Sequence, residues 1–379
     1  MSIKECVLIS ENEKYNVLID VIKGVGIICM VAGHCGAPFT KFIYLFHMAI
    51  FYIASGYCYK SKNSSSFYFL IMFIKRKIFS LWLPYVVWTS VYSILHNFFI
   101  RINIYTNNPL LMKYNVSEYN QVTEFWSFMD IVKNIVKSFM LSGGTQIGGA
   151  FWFVAVLFKL VVIYCFIDFL VKKISMDKHV VVIIQSVISI IFLIVGYLFH
   201  LKGIRFLSLD KVFSYYILFH VGYVIKSSGI YNCRQNNILH ILTIIITFVV
   251  LLICNSVGTI ALDQTNYVNP VFLLIASICG WQFLYEISYY LVNTSICEIL
   301  TCFGKNTMAI VSLHFLCFKV VNCAGVLIEE KPLFLIASFP VLYYDVWCGG
   351  GVLGFMYFYR TFAASFPWFT LEKSEIFCS

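Results

Sequence analysis

Apolar residues in this chain gather into long runs, separated by short polar connections, from near residue 17 almost to the end. The runs cover roughly 17–36, 43–59, 78–100, 151–171, 180–199, 211–226, 238–256, 271–291, 307–326 and 333–357. A helix needs about 20 mostly apolar residues to cross a hydrocarbon core of about 30 Å. The pattern therefore predicts an all-α polytopic membrane bundle of about ten spans. Pro340 and Gly349 to Gly351 interrupt the last run.

The expected organisation is a polar tail over residues 1–16, one transmembrane domain over 17–358, and a second tail over 359–379. The first tail carries Lys4, Glu5, Glu11, Glu13 and Lys14 and has no short apolar core ahead of a small-residue cleavage site. It reads as a cytoplasmic segment before a retained helix rather than as a signal peptide. The longest connection, 101–150, contains an amphipathic stretch at 124–141 with Lys133 and Lys137 on its polar side, expected to lie in the membrane interface.

Composition strengthens the membrane reading. Of the 379 residues, 60% are apolar and 12% charged, and the mean hydropathy is +0.85. A soluble domain carries about 25% charged residues because its surface must be wetted. The deficit extends along the whole chain, so one anchor helix does not explain it. The formal charge of +9 raises the question of nucleic acid, but the cations are scattered between apolar runs, as topology signals are. Fourteen cysteines form no C-x-x-C pair and lie mostly within apolar runs, which fits small buried hydrophobes better than disulfides or a zinc site. Positive residues such as Lys60, Lys62, Lys75, Arg76, Lys77, Lys172 and Lys173 favour both termini in the cytoplasm and the 101–150 connection outside. No internal repeat is visible, which weakens a transporter built from inverted repeats.

The first run holds the most unusual polar pattern: Asp20, Lys23 and His34, with Gly24, Gly26 and Gly33 among them. Lys23 and His34 are eleven residues apart, close to three helical turns, so they share a face about 16 Å apart along the axis. Asp20, three residues before Lys23, can pair with it. A snorkelling Lys–Asp pair with an interfacial His is the structural reading; intramembrane ionisable groups on one face are the functional one. Lys75-Arg76-Lys77 reads either as a topology signal or as a rim for phosphate. Trp152 follows a glycine-rich approach, and His314 falls within the ninth run as a core histidine or a site residue.

Asp20-x-x-Lys23-Gly with Gly33-His34, then Phe46-His47-Met48 and Ser55-Gly56-Tyr57, resembles the opening signature of the membrane acyltransferase-3 family. Lys75 to Pro84-Tyr85, Trp152-Phe153 and Phe303-Gly304-Lys305-Asn306-Thr307 with His314 fall in the order that family shows, so the resemblance covers about residues 15–358. It is especially like the bacterial branch that O-acetylates sugars of surface polysaccharides. The chain carries Lys23 where many members carry Arg, and Ala49 where Pro is common.

The resemblance implies an O-acyltransferase of the bacterial inner membrane. It would move an acetyl or other acyl group from cytoplasmic acetyl-CoA (acyl-CoA) to a hydroxyl of a polysaccharide or lipid-linked sugar. It implies His34 as the catalytic residue, either general base or transient nucleophile, and Lys23, Lys75 and Arg76 as donor-binding residues. Asp20, His47, Ser55, Trp152 and His314 would support the pocket. No metal or nucleic acid is expected; the bilayer and a carbohydrate acceptor are the expected partners, and assembly into a homo-oligomer stays open. The rival reading is a transporter or flippase for a glycan or lipid precursor, without acyl chemistry; a scaffold subunit of an export complex is the third.

Overall fold

A computed structural model of the chain describes residues 11–34, 39–114, 121–231 and 237–338. Helix α1 (Glu11–His34) begins inside the expected polar tail and continues through the first apolar run. The second run is not one regular helix. It forms α2 (Thr40–Tyr44), a tightened stretch at 45–48, and α3 (Ala49–Tyr57), linked by i→i−3 and i→i−4 backbone bonds.

Helix α4 (Phe67–Lys77), capped by the Ser66 hydroxyl, runs through a π turn at Ile78–Trp82 into α5 (Leu83–Ile94) and then α6 (His96–Arg101). The widened turn has a local cause. Pro84 has no N–H to donate, and its ring crowds the carbonyl four residues back, so the ladder loosens just ahead of it. Helix α7 (Phe128–Phe139) is the expected amphipathic element, shorter than 124–141. A capping box between Ser127 and Asp130 starts it, and Phe128, Met129, Val136 and Phe139 are exposed.

Long apolar helices follow: α8 (Phe151–Ile174), α9 (Lys178–Leu201), α10 (Leu209–Ser228), α11 (Asn237–Val257) and α12 (Pro270–Leu291). Asp177 caps α9, and Asn269, directly before Pro270, caps α12. Between α11 and α12, strands β1 (Ile260–Ala261) and β2 (Asn266–Tyr267) form a small antiparallel hairpin. Tyr215 donates to the Leu262 carbonyl at 2.6 Å and Thr265 to Asp210 at 2.8 Å, fixing the hairpin to α10. The short helix α13 (Cys297–Lys305) breaks at Asn306 into α14 (Thr307–Ile328).

Six helices among the described residues are long and apolar enough to span a membrane: Val17–His34, Phe151–Ile174, Lys178–Leu201, Asn237–Val257, Pro270–Leu291 and Thr307–Ile328. The expected spans 43–59 and 78–100 are instead broken helices, and α10 carries Asp210, Lys211 and Lys226 at its ends. The tenth run begins as a 3-10 turn at Leu333–Ala337, and its remainder lies outside the described residues, as do residues 1–10 and the 359–379 tail.

The core lies between α1, α3, α8, α10 and α12. Helices α9 and α11 are the least buried of the long ones and turn Ile183, Ile190, Ile194, Ile241 and Ile245 outward, as lipid contact requires. At the α1–α13 crossing, Gly24 lies against the Leu300 carbonyl and Gly304 against the Asp20 carbonyl; a methyl group at either position would collide with backbone. Two glycines thus let the backbones touch, in the small-residue manner of membrane helix pairs.

Candidate functional site

Three spaces adjoin one another in the bundle. The largest of the three, about 630 Å³, is lined by His34, Tyr44, His47, Trp126, Trp152 and Asp263, with His96 and Gln146 also at its wall. Below it lies an almost wholly apolar slot of about 40 Å³, bordered by Lys23, Ile27, Met30, Met48, Phe51, Ser55 and Met308. An inner pocket of about 20 Å³ follows, bordered by Ser55, Tyr59, Asn63, Phe73 and Lys77. Met48 and Ala150 line both the large cavity and the slot; Ser55, Cys58, Leu81 and Leu157 line both the slot and the inner pocket.

Helix α1 supplies one wall for most of this path. Lys23, Ile27 and Met30 border the slot and His34 the cavity, at spacings of four, seven and eleven from Lys23. These steps keep side chains on one helical face. Lys23 is buried and bonded to Asp20, also buried, at 2.7 Å. Their proximity offsets the cost of holding each charge away from water.

His34 ends α1 among rings. Its centroid lies 5.0 Å from that of Phe315, 5.5 Å from that of His314 and 6.4 Å from that of Tyr44. His47 stacks on Tyr44 at 4.8 Å, and its Nδ1 donates to the Ile43 carbonyl at 3.1 Å, turning the ring into the cavity wall. Opposite, Trp126 is held rigidly: Asn97 bonds both its backbone N–H and its carbonyl at 2.8 Å, and His96 stacks on its indole at 3.9 Å. Trp152, at the start of α8, borders the same space. Asp263, on the hairpin turn, also faces it, and the surrounding protein raises its carboxyl above the ordinary value by desolvation.

The inner end is basic and braced. Asp168 on α8 accepts from Tyr59 at 3.0 Å, from Lys172 at 2.8 Å and from Ser64, fixing the connection after α3. That connection presents Asn63, which accepts from the Arg76 guanidinium at 3.0 Å. Lys77 borders the pocket and lies over the Phe73 ring at 5.4 Å.

The structure therefore gathers His34, His47 and Trp152 at the outer cavity, with His314 behind His34. It puts Lys23 and Ser55 on the slot, the latter donating to the Phe51 carbonyl at 2.7 Å. Lys75 is exposed and borders none of the three spaces; Arg76 lies beside the inner pocket, held by Asn63. Lys77, one residue further along α4, is the cation that borders it. Asn63, His96, Trp126 and Asp263 were not singled out from the sequence, and Lys77 was named there only within the cationic triplet, not as a donor-binding residue. Only Lys77 carried a local signal, as part of a cationic triplet; the others meet through tertiary folding. Among the described residues no group of His, Cys, Asp or Glu is arranged to hold a metal ion.

A family model described as an acyltransferase domain matches residues 16–343, spanning α1 to beyond the last described helix. No curated protein and no solved structure matches significantly. The match takes in every residue named on the three adjoining spaces, and the chain belongs to the membrane acyltransferase-3 family.

Proposed function

We propose that the protein is a membrane-embedded O-acyltransferase, moving an acetyl group from cytoplasmic acetyl-CoA to a carbohydrate hydroxyl presented at the outer cavity. The carrying observation is the series of adjoining spaces from Lys77 through the slot to His34. In this reading the N-terminus is cytoplasmic, the inner pocket faces the cytoplasm, and the chain resides in a bacterial inner membrane.

Lys77, with Arg76 beside it, offers the positive charge that phosphates require at the inner mouth. Lys23 is better suited to the slot than to the mouth, because it borders the slot and its charge is paired with Asp20. Met30, Met48 and Met308 border the slot, and their unbranched side chains can move aside for a pantetheine arm. About 40 Å³ leaves no room for a sugar ring, which weighs against the transporter reading.

At the upper end His34 takes the proton from the acceptor hydroxyl as the oxygen bonds to the thioester carbonyl carbon. The carbon–sulfur bond breaks, and His34 returns the proton to the departing thiolate sulfur. The apolar slot limits water and so limits hydrolysis of the thioester. Trp126 and Trp152 offer flat apolar faces, and Gln146 and Asp263 polar groups, for a sugar acceptor.

The reading is tested by comparing O-acetyl proton resonances in surface glycans from cells with and without the gene. Loss on deletion and return on complementation are expected; an unchanged O-acetyl content would sink the proposal.

A further inference from the structure

His47 borders the outer cavity but takes no part in the scheme above, and its ring is set from several sides. It lies in the tightened stretch at 45–48, between α2 and α3. Its neighbour Phe46 packs so closely on Gly280 of α12 that a methyl group there would collide with the Phe46 Cβ. Tyr44 stacks on the imidazole with ring centres 4.8 Å apart, and the same tyrosine ring is centred 6.4 Å from that of His34. The His47 Nδ1 lies 3.1 Å from the Ile43 carbonyl. A carbonyl oxygen only accepts, so Nδ1 carries the proton in the neutral ring and Nε2 keeps its lone pair. Nε2 has no hydrogen-bond partner among the described residues. Whereas Nε2 of His314 is sealed within the protein, that of His47 is not, and the space its ring borders is the cavity.

A nitrogen in this state accepts and does not donate. A free hydroxyl satisfies it; a deoxygenated carbon or an esterified oxygen brings no proton. A site built to bond a substrate hydroxyl rejects an analogue that lacks it, because the polar group of the protein is then left unpaired. We propose that His47 is a specificity-determining residue whose Nε2 accepts a hydrogen bond from a second free hydroxyl of the acceptor sugar, while the first is acylated beside His34. The inference rests on the reading of the outer cavity as the acceptor site. Tyr44 touches both imidazoles, so they neighbour one another along one wall, within reach of two hydroxyls of a single sugar. The substrate class is thus a sugar with at least two free hydroxyls.

The test uses purified full-length protein in lipid nanodiscs, with acetyl-CoA and surface glycan prepared from cells lacking the gene. His47→Leu removes the accepting nitrogen and should raise the KM for this glycan about tenfold, with kcat and the KM for acetyl-CoA within about twofold. His47→Gln places an amide oxygen near the Nε2 position and should recover most of that loss. An unchanged KM for the glycan in His47→Leu, or equal losses in both variants, would overturn the proposal. A fall in kcat at unchanged KM would overturn it too, by placing His47 in the chemistry instead. Should His47→Leu fail to fold, ¹⁵N-histidine spectra of the unaltered protein decide. The Nε2 resonance of His47, assigned by its disappearance in His47→Gln, should be that of a bare nitrogen and should shift when the glycan is added; a protonated Nε2, or one that does not respond, overturns the proposal. If the unaltered protein transfers no acetyl to this glycan, the proposed function fails and the inference with it; if transfer proceeds and only the His47 results fail, the error belongs to His47.

Discussion

Lys23 and His34 lie on one face of α1, eleven residues apart, one bordering a slot that leads inward and the other the cavity above it. Ile27 and Met30 complete the wall between them. A single helix thus lines the path from the buried Lys23–Asp20 pair to the outer cavity.

The buried pair should be sensitive to removal of one partner. Asp20→Asn leaves Lys23 without its nearest countercharge in a setting that excludes water, and breaking such a pair costs about 3–5 kcal/mol. Thermal unfolding in detergent should show a clear fall in midpoint. The double variant Asp20→Asn/Lys23→Met should be less destabilised than Asp20→Asn alone, because the buried charge is gone. A double variant as unstable as the sum of the two single changes would contradict the pairing.

The inner pocket separates two neighbouring lysines. Lys77 borders it and Lys75 is exposed away from it. A lost charge-assisted hydrogen bond costs about 1.5–3 kcal/mol, so Lys77→Ala should raise the KM for acetyl-CoA by at least about tenfold. Lys75→Ala should leave it within about twofold, since an exposed charge off the binding path contributes little. The contrast is read from initial rates at fixed acceptor and low salt.

Met48 stands where slot and cavity meet. Met48→Trp should obstruct the junction and lower transfer by about 10²-fold, the scale of loss that small misplacements of a reacting group produce. Binding of 3′,5′-ADP, which carries the phosphates without the pantetheine arm, should be retained. Calorimetry of that binding, beside the transfer assay, separates a blocked path from a damaged protein.

With His34 as base rather than nucleophile, both substrates must be present together. Rapid mixing with acetyl-CoA alone should release no burst of free CoA thiol. A burst equal to the enzyme concentration would assign His34 the covalent role instead.

What the sequence made legible was local. The eleven-residue spacing of Lys23 and His34 is a property of one helix, so their shared face could be read without tertiary information. The same holds for α7, whose amphipathic pattern and Ser127–Asp130 cap lie within the element itself. The run at 43–59 is mostly apolar, and hydropathy does not register the tightened stretch at 45–48 that turns His47 toward the cavity. The outer cavity was the least legible part. His96 begins α6, Trp126 and Gln146 flank α7 and Asp263 lies on the hairpin turn; they meet through tertiary folding, with Asn97 clamping Trp126 and α10 holding the hairpin. The distinction between Lys75 and Lys77 was hidden for a related reason: which member of a cationic triplet turns inward depends on how α4 leads into the π turn before Pro84.

The most direct measurement is transfer of radiolabelled acetyl from acetyl-CoA to acceptor glycan by the protein in nanodiscs, comparing the unaltered chain with His34→Ala. The expected result is a fall of at least about 10²-fold in transfer, the scale of general acid–base catalysis, with CoA still bound. Undiminished transfer by a folded His34→Ala protein would contradict the assignment of the chemistry to this end of α1.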